Sequence, residues 1–164
     1  MTTYHQVLNQ LEILKLNHIR NLLPDYLENH TSVSLLEGFS DLLTEEITSR
    51  ERSVLSQQMK KAHLPYMKRL IDFDFRFQHK LNKADIVDLH TLRFLDKHEN
   101  LLFVGNSGVG KTHLAISIAL ESIEKGHSAY FCSSNELVNH LLKAYHKGTL
   151  ERALKRYAHY DLLI

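Results

Sequence analysis

With 164 residues, 43% of them hydrophobic and 24% charged, the chain has room for one domain, or for a small domain and part of a second, and its composition is that of an ordinary globular protein. A single cysteine, Cys132, excludes an internal disulfide framework and fits a reducing compartment. No apolar run approaches the ~18 residues of a membrane span, residues 1–6 lack the basic start and apolar core of a signal peptide, and a formal net charge of +1 says nothing about a polyanionic partner; the expectation is a cytoplasmic protein.

From residue 3 to about 30, Val7, Leu8, Leu11, Leu14, Ile19, Leu22, Leu23 and Leu27 keep helical spacing, with Pro24 expected to mark a break or a new first turn. Residues 31–34 read as a turn, and Ser34 with Glu37 fits a capping box that opens a long helix over 35–62. Leu35, Leu36, Phe39, Leu42, Leu43 and Ile47 give that helix an apolar face, and Leu64-Pro65 ends it. Between 59 and 83 the chain turns basic: Lys60, Lys61, Lys68, Arg69, Arg76, Lys80 and Lys83 face only Asp72 and Asp74. In the same stretch Phe73, Phe75 and Phe77 alternate with charged residues, an extended period. Residues 85–95 read as another helix.

Leu101 to Val104 is a short apolar run expected to be a buried strand. It leads into Gly105-Asn106-Ser107-Gly108-Val109-Gly110-Lys111-Thr112, which matches the phosphate-binding pattern G-x-x-x-x-G-K-[ST] at every fixed position. A helical pattern follows, with apolar residues at 114, 115, 118 and 119. The glycines therefore sit between strand and helix, the context in which backbone N–H groups and a helix start converge on a phosphate. Lys111 is the candidate charge for the β- and γ-phosphates, and the Thr112 hydroxyl is placed for Mg²⁺.

Further on, Gly126 signals a helix end and 129–132 reads as a short buried strand. Ser133 with Glu136 is a capping box opening a helix to about Tyr145, Gly148 ends it, a short basic helix covers 150–159, and 161–164 starts a third strand. Strand and helix in alternation indicate a parallel α/β sheet. The twelve histidines include no pair three or four residues apart, so no zinc motif is present, and Cys132 reads as a small core residue.

These motifs resemble the IstB group of transposition helper ATPases and their relative, the helicase loader DnaC, both of the AAA+ class. The resemblance rests on 62–65 (Ala-His-Leu-Pro), on 70–75 (Leu-Ile-Asp-Phe-Asp-Phe), on 100–115 with its His113-Leu114-Ala115 extension, on Gly126, on the helix start at Glu136-Leu137, and on Tyr160 to Ile164. It spans nearly the whole chain. The fold it implies is α/β: an incomplete P-loop NTPase (AAA+) parallel sheet preceded by an all-helical N-terminal region. The expected segments are a helical region at 1–63, a linker with lead-in helix at 64–99, and the first part of an ATPase domain at 100–164. The resemblance implies ATP and Mg²⁺ as cofactors. Gly105, Asn106, Ser107, Gly108, Val109, Gly110, Lys111, Thr112 and His113 would line the nucleotide, Lys111 would act on its phosphates and Thr112 on the metal. It further implies DNA and a transposase or helicase as partners, and homo-oligomers for the intact family.

The family's Walker B pair of acidic residues, which secures the metal and positions water, does not follow Ile164, and Asp161 comes too early in the strand to replace either. The resemblance then reads as a truncated copy with little or no hydrolysis. It also implies that a strand expected between 101–104 and 161–164 is lacking, which leaves backbone groups unpaired at roughly 1–3 kcal/mol each. A helicase-loader-like ATP-binding protein, or a non-hydrolysing partner-binding helical module with a relic P-loop, is the alternative reading. The basic stretch at 59–83 is equally a DNA contact or a solvated face by composition, and the resemblance favours DNA; its aromatics read as packing residues.

Overall fold

The structure, a computed structural model, describes residues 3–30, 34–77 and 81–164. The turn expected at 31–33 and Lys80 of the basic stretch lie outside these residues, and so do the side chains of Leu36 and Phe77. The chain forms two compact units, one ending at Val54 and the other spanning Leu55–Ile164.

The first unit is helical: α1 (Thr3–Ile13), α2 (Asn17–Asn29) and the larger part of α3 (Leu35–Lys61). Ile19, Leu23 and Leu42 form its buried core, with Leu8, Leu11, Leu16 and Tyr26 packed around them. The break between α1 and α2 falls at 14–16, not at Pro24, which lies inside α2. The cause is a left-handed Lys15 (φ 56°), with the Leu16 N–H donating to the Leu11 carbonyl at 2.9 Å, the six-to-one bond of a Schellman ending. The Ser34–Glu37 capping box forms as expected: Ser34 N–H reaches Glu37 Oε2 at 3.2 Å and Glu37 N–H reaches Ser34 Oγ at 3.3 Å.

Glu46 is the one charged side chain among the buried residues described, at 5% exposure. Its Oε2 accepts the Ile19 N–H at 3.0 Å and its Oε1 accepts Arg50 Nε at 2.8 Å. Arg50 continues to the Lys15 carbonyl at 2.9 Å, so one carboxylate ties α3 to the start of α2 and to the end of α1. Burial pushes this carboxyl up, but the Ile19 amide and Arg50 outweigh it, and the net direction is below the ordinary value.

The second unit is organised around α6 (Lys111–Glu124), where Leu114, Ile116, Ile118, Ala119, Leu120 and Ile123 are all buried. Its two buried serines satisfy themselves: Ser117 Oγ donates to the Leu114 carbonyl at 2.8 Å and Ser122 Oγ to that of Ala119 at 3.2 Å. Ahead of α6 the expected helix at 85–95 is interrupted. It is α4 (Lys83–Leu89), capped by Asn82, then a left-handed Leu92 (φ 66°), then α5 (Arg93–Asp96). Leu92 is 4% exposed; burying its side chain, about 1.5–3 kcal/mol, offsets the roughly 1–2 kcal/mol of the left-handed backbone. The aromatic stretch is not a strand either. It forms two 3₁₀ turns, Leu70–Asp72 and Phe75–Phe77, because Asp72 and Asp74 accept the backbone N–H groups of Arg69 and Arg76, each at 2.9 Å.

Behind α6, β1 (Ala129–Tyr130) pairs in parallel with β2 (Leu162–Leu163), Ala129 opposite Leu162. The helices α7 (Ser134–His146) and α8 (Leu150–Ala158) form the crossover between them. The Ser133–Glu136 box and the Gly126 and Gly148 stops (φ 90° and 67°) stand where the sequence puts them. Residues 101–104, expected as a buried strand whose neighbour is lacking, belong to no ladder among the described residues. Leu101 and Phe103 pack inward on Leu92, Phe94 and Ile118, while Leu102 and Val104 stand 87% and 84% exposed. Inward packing of alternate residues holds this segment without a hydrogen-bonded neighbour. A hollow of about 870 Å³ lies beside it, lined by Leu101, Phe103, Leu141, Tyr157 and the β2 residues. The fold is thus mostly helical with a small parallel sheet. No helix among the described residues is long and apolar enough to cross a membrane.

Replacing Glu46 with Ala should destabilise the first unit by about 1–3 kcal/mol in urea denaturation followed by helical circular dichroism, since the Ile19 amide stays buried without its acceptor. Because the folded carboxyl lies below its unfolded value of 4.5, this contribution is complete above that pH and is lost as pH falls through the lower folded value. The wild-type and Glu46→Ala curves should therefore converge in acid.

Candidate functional site

In the loop from Gly105 to Thr112 two of the three glycines take positive φ, and Gly105 does not. Gly108 and Gly110 are left-handed, at φ 79° and 91°, and Gly110 is the N-cap of α6 with no side-chain cap. The N–H groups of Gly108, Gly110, Lys111, Thr112 and His113 donate to no other group among the described residues. They are a run of amides at the positive end of a helix. Lys111 Nζ donates to the Gly105 carbonyl at 2.8 Å and to the Asn106 carbonyl at 2.6 Å, so the ammonium lies in the loop itself. Thr112 is exposed in the first turn of α6. Asn106, Ser107 and Val109 complete the loop, whose free amides, central ammonium and adjacent hydroxyl are donors that suit a triphosphate and its metal.

What holds the loop in this shape is the linker. A Cβ on Gly110 would stand 2.5 Å from Cε2 of Phe73, so the ring occupies the space that any side chain there would need. Phe73 is buried against Ile86 and Leu114, and it meets His113 edge to face with ring centroids 5.2 Å apart. His113 Nε2 donates to the Arg69 carbonyl at 3.0 Å, and the Arg69 guanidinium is paired with Glu124 at the far end of α6. The expected nucleotide role of His113 thus narrows to its backbone N–H, because its ring is engaged with the linker. The sequence read Phe73 as a packing residue and Arg69 as part of the basic stretch, while Glu124 went unassigned. The clue was the aromatic run at 73–77, but no spacing rule links Arg69 to Glu124.

Other candidates fall away on geometry. Asp161 accepts Ser128 N–H at 2.8 Å and Ser128 Oγ at 2.7 Å, which hold its carboxyl below the usual range and commit it to the edge of the sheet. Arg76 grips Asp74 through two nitrogens at 2.8 and 3.0 Å, and its bonds take the Asp74 carboxyl down to about 2. Burial, then Glu136, pushes the Cys132 thiol up, as suits a packed rather than a reactive cysteine.

Residues 9–164 match the family described as IstB-like ATP binding protein. The chain belongs to that family. Among its relatives is a protein of insertion sequence IS232 in Bacillus thuringiensis subsp. berliner, named for ATP binding, 38% identical over 164 residues. Similarly named proteins of insertion sequence IS5376 in Geobacillus stearothermophilus and insertion sequence IS21 in Pseudomonas aeruginosa are 35% and 32% identical. The alignments take in 99%, 98% and 98% of this IstB-like chain but only 66%, 63% and 61% of those relatives.

Two glycines with nearly equal φ separate backbone strain from steric fit in this IstB-like unit. At Gly126 (φ 90°) a Cβ would meet nothing within 4 Å, whereas at Gly110 (φ 91°) it would meet the Phe73 ring. Gly126→Ala should cost about 1–2 kcal/mol of stability in urea denaturation, the left-handed penalty alone. Gly110→Ala should cost more, and adding Phe73→Leu should recover the excess but not the shared penalty.

Proposed function

We propose that this chain holds ATP and Mg²⁺ in the loop Gly105–Thr112 and serves as an ATP-binding helper of insertion-sequence transposition that works on DNA with a transposase. The observation that carries the reading is the group of amides, those of Gly108 and of Gly110 to His113, that lack an acceptor among the described residues around the Lys111 ammonium. Lys111 takes the β- and γ-oxygens, exchanging its loop carbonyls for phosphate. The Thr112 hydroxyl ligates the metal, whose charge offsets that on the phosphates. The glycines admit the phosphates to the backbone, and Asn106, Ser107 and Val109 contribute main chain. Family membership and the relatives' names support ATP and insertion sequences, and they favour this reading over helicase loading. The metal, the DNA and the transposase are carried by the resemblance alone.

The chain should melt later with ATP and Mg²⁺, by the equivalent of about 2.7 kcal/mol at a hundredfold excess over Kd, and should resist limited proteolysis under the same conditions. Lys111→Ala should abolish both effects while its melting without nucleotide stays close to that of the wild type. Equal protection in the variant, or none in the wild type, would overturn the reading.

A further inference from the structure

His113 stands at the join between the phosphate loop and the body of α6. The next residue, Leu114, donates its N–H to the Gly110 carbonyl at 3.0 Å, the bond that opens the helix, so His113 is the last residue of the first turn whose amide has no helical acceptor among the described residues. Its main chain belongs to the loop while its side chain belongs to the linker. A carbonyl can only accept, so His113 carries a proton on Nε2 and gives it to the Arg69 carbonyl, 3.0 Å away.

Arg69 is gripped at its amide, its carbonyl and its guanidinium. Its N–H goes to Asp72 Oδ2 at 2.9 Å, its carbonyl also accepts the Asp72 N–H at 3.1 Å, and its guanidinium forks onto the Glu124 carboxylate. Four residues on, the Phe73 ring fills the space against Gly110. The segment 69–73 therefore clasps the start of α6 at two points, at Gly110 through Phe73 and at His113 through Arg69. Yet this clasp is one 3₁₀ turn in which only Phe73 is buried, Arg69 is exposed and Ile71 stands 89% exposed. A segment with so little burial opens at a lower free-energy cost than the unit that carries it.

We infer that His113 is a positioning residue for the nucleotide, and that through its bond to Arg69 the clasp at 69–73 and the phosphate loop close together. This rests on the reading that the loop Gly105–Thr112 holds ATP, and it adds to that site a side chain engaged only with the linker. The amides of Gly110 and His113 aim at one point only while the clasp holds both residues. Apparent affinity for a polyphosphate then falls with the fraction of molecules that are clasped. Linkage is reciprocal, so bound ATP holds the clasp shut.

The test uses the full chain with ATP and Mg²⁺, followed by calorimetric titration and by hydrogen exchange of the Asp72 and Phe73 amides, whose acceptors are the Arg69 and Leu70 carbonyls. In the wild type these two amides should exchange at least about tenfold more slowly at a hundredfold excess of ATP over Kd. His113→Ala should weaken ATP binding by about 3- to 30-fold and lose most of that protection. Its melting without nucleotide should stay close to that of the wild type, because the clasp opens without the helix. His113→Gln keeps an N–H at the reach of Nε2 and should restore most of the affinity. A histidine with a structural role alone would lower the melting temperature and leave ATP affinity as it was. Unchanged affinity in His113→Ala, no recovery in His113→Gln, or wild-type exchange at 72–73 that is indifferent to ATP each overturns the inference while the ATP reading stands. If the wild type binds no ATP, both fall.

Discussion

The ring of Phe73 beneath Gly110 is the contact on which the nucleotide loop depends. A phosphate cradle works only if consecutive amides aim at one point, and that aim is set by left-handed backbone that resists nothing by itself. Here the backbone at Gly110 (φ 91°) is backed by an aromatic ring at a distance no side chain could share. The ring is in turn fixed by Ile86 on α4 and Leu114 on α6. Linker, lead-in helix and phosphate loop are thus one packed assembly, and the shape of the site is determined by residues well upstream of the motif that advertises it.

α6 carries that assembly along its length. At its first turn His113 holds the Arg69 carbonyl; at its last turn Glu124 holds the Arg69 guanidinium. Between the two, His90 lies 3.1 Å from Ser117 Oγ, and Lys125 beyond the helix end donates to the His90 carbonyl at 2.9 Å. The exposed Arg69–Glu124 pair is worth at most about 1 kcal/mol, so the buried isoleucines, not the ion pair, secure the helix. The polar bonds set its register against the linker.

What the sequence made legible was local and chemical. The two capping boxes and the Gly126 and Gly148 stops depend on side chains within a few residues of each other, and they stand where the sequence puts them. The α1–α2 break was misplaced and the α4–α5 break was missed because they turn on left-handed Lys15 and Leu92, residue types that carry no turn signal. At 70–77 the alternation of aromatics suggested a strand, but Asp72 and Asp74 captured the backbone N–H groups and wound it into 3₁₀ turns. For 101–104 the apolar pattern was right about the packing of alternate residues, and among the described residues no ladder forms there. The packing role of Phe73 was read from the sequence, but its particular contact with Gly110 joins residues distant in sequence, which no single-chain pattern reports.

The Lys111 ammonium is bonded to two carbonyls of its own loop. An incoming anion must outbid those bonds, each worth about 1 kcal/mol net and more for a charged donor. A singly charged oxyanion offers little in exchange, whereas a polyphosphate brings several oxygens to amides that have no other acceptor. Under the proposed reading, such a loop would favour a ligand by its charge before any contact with base or sugar.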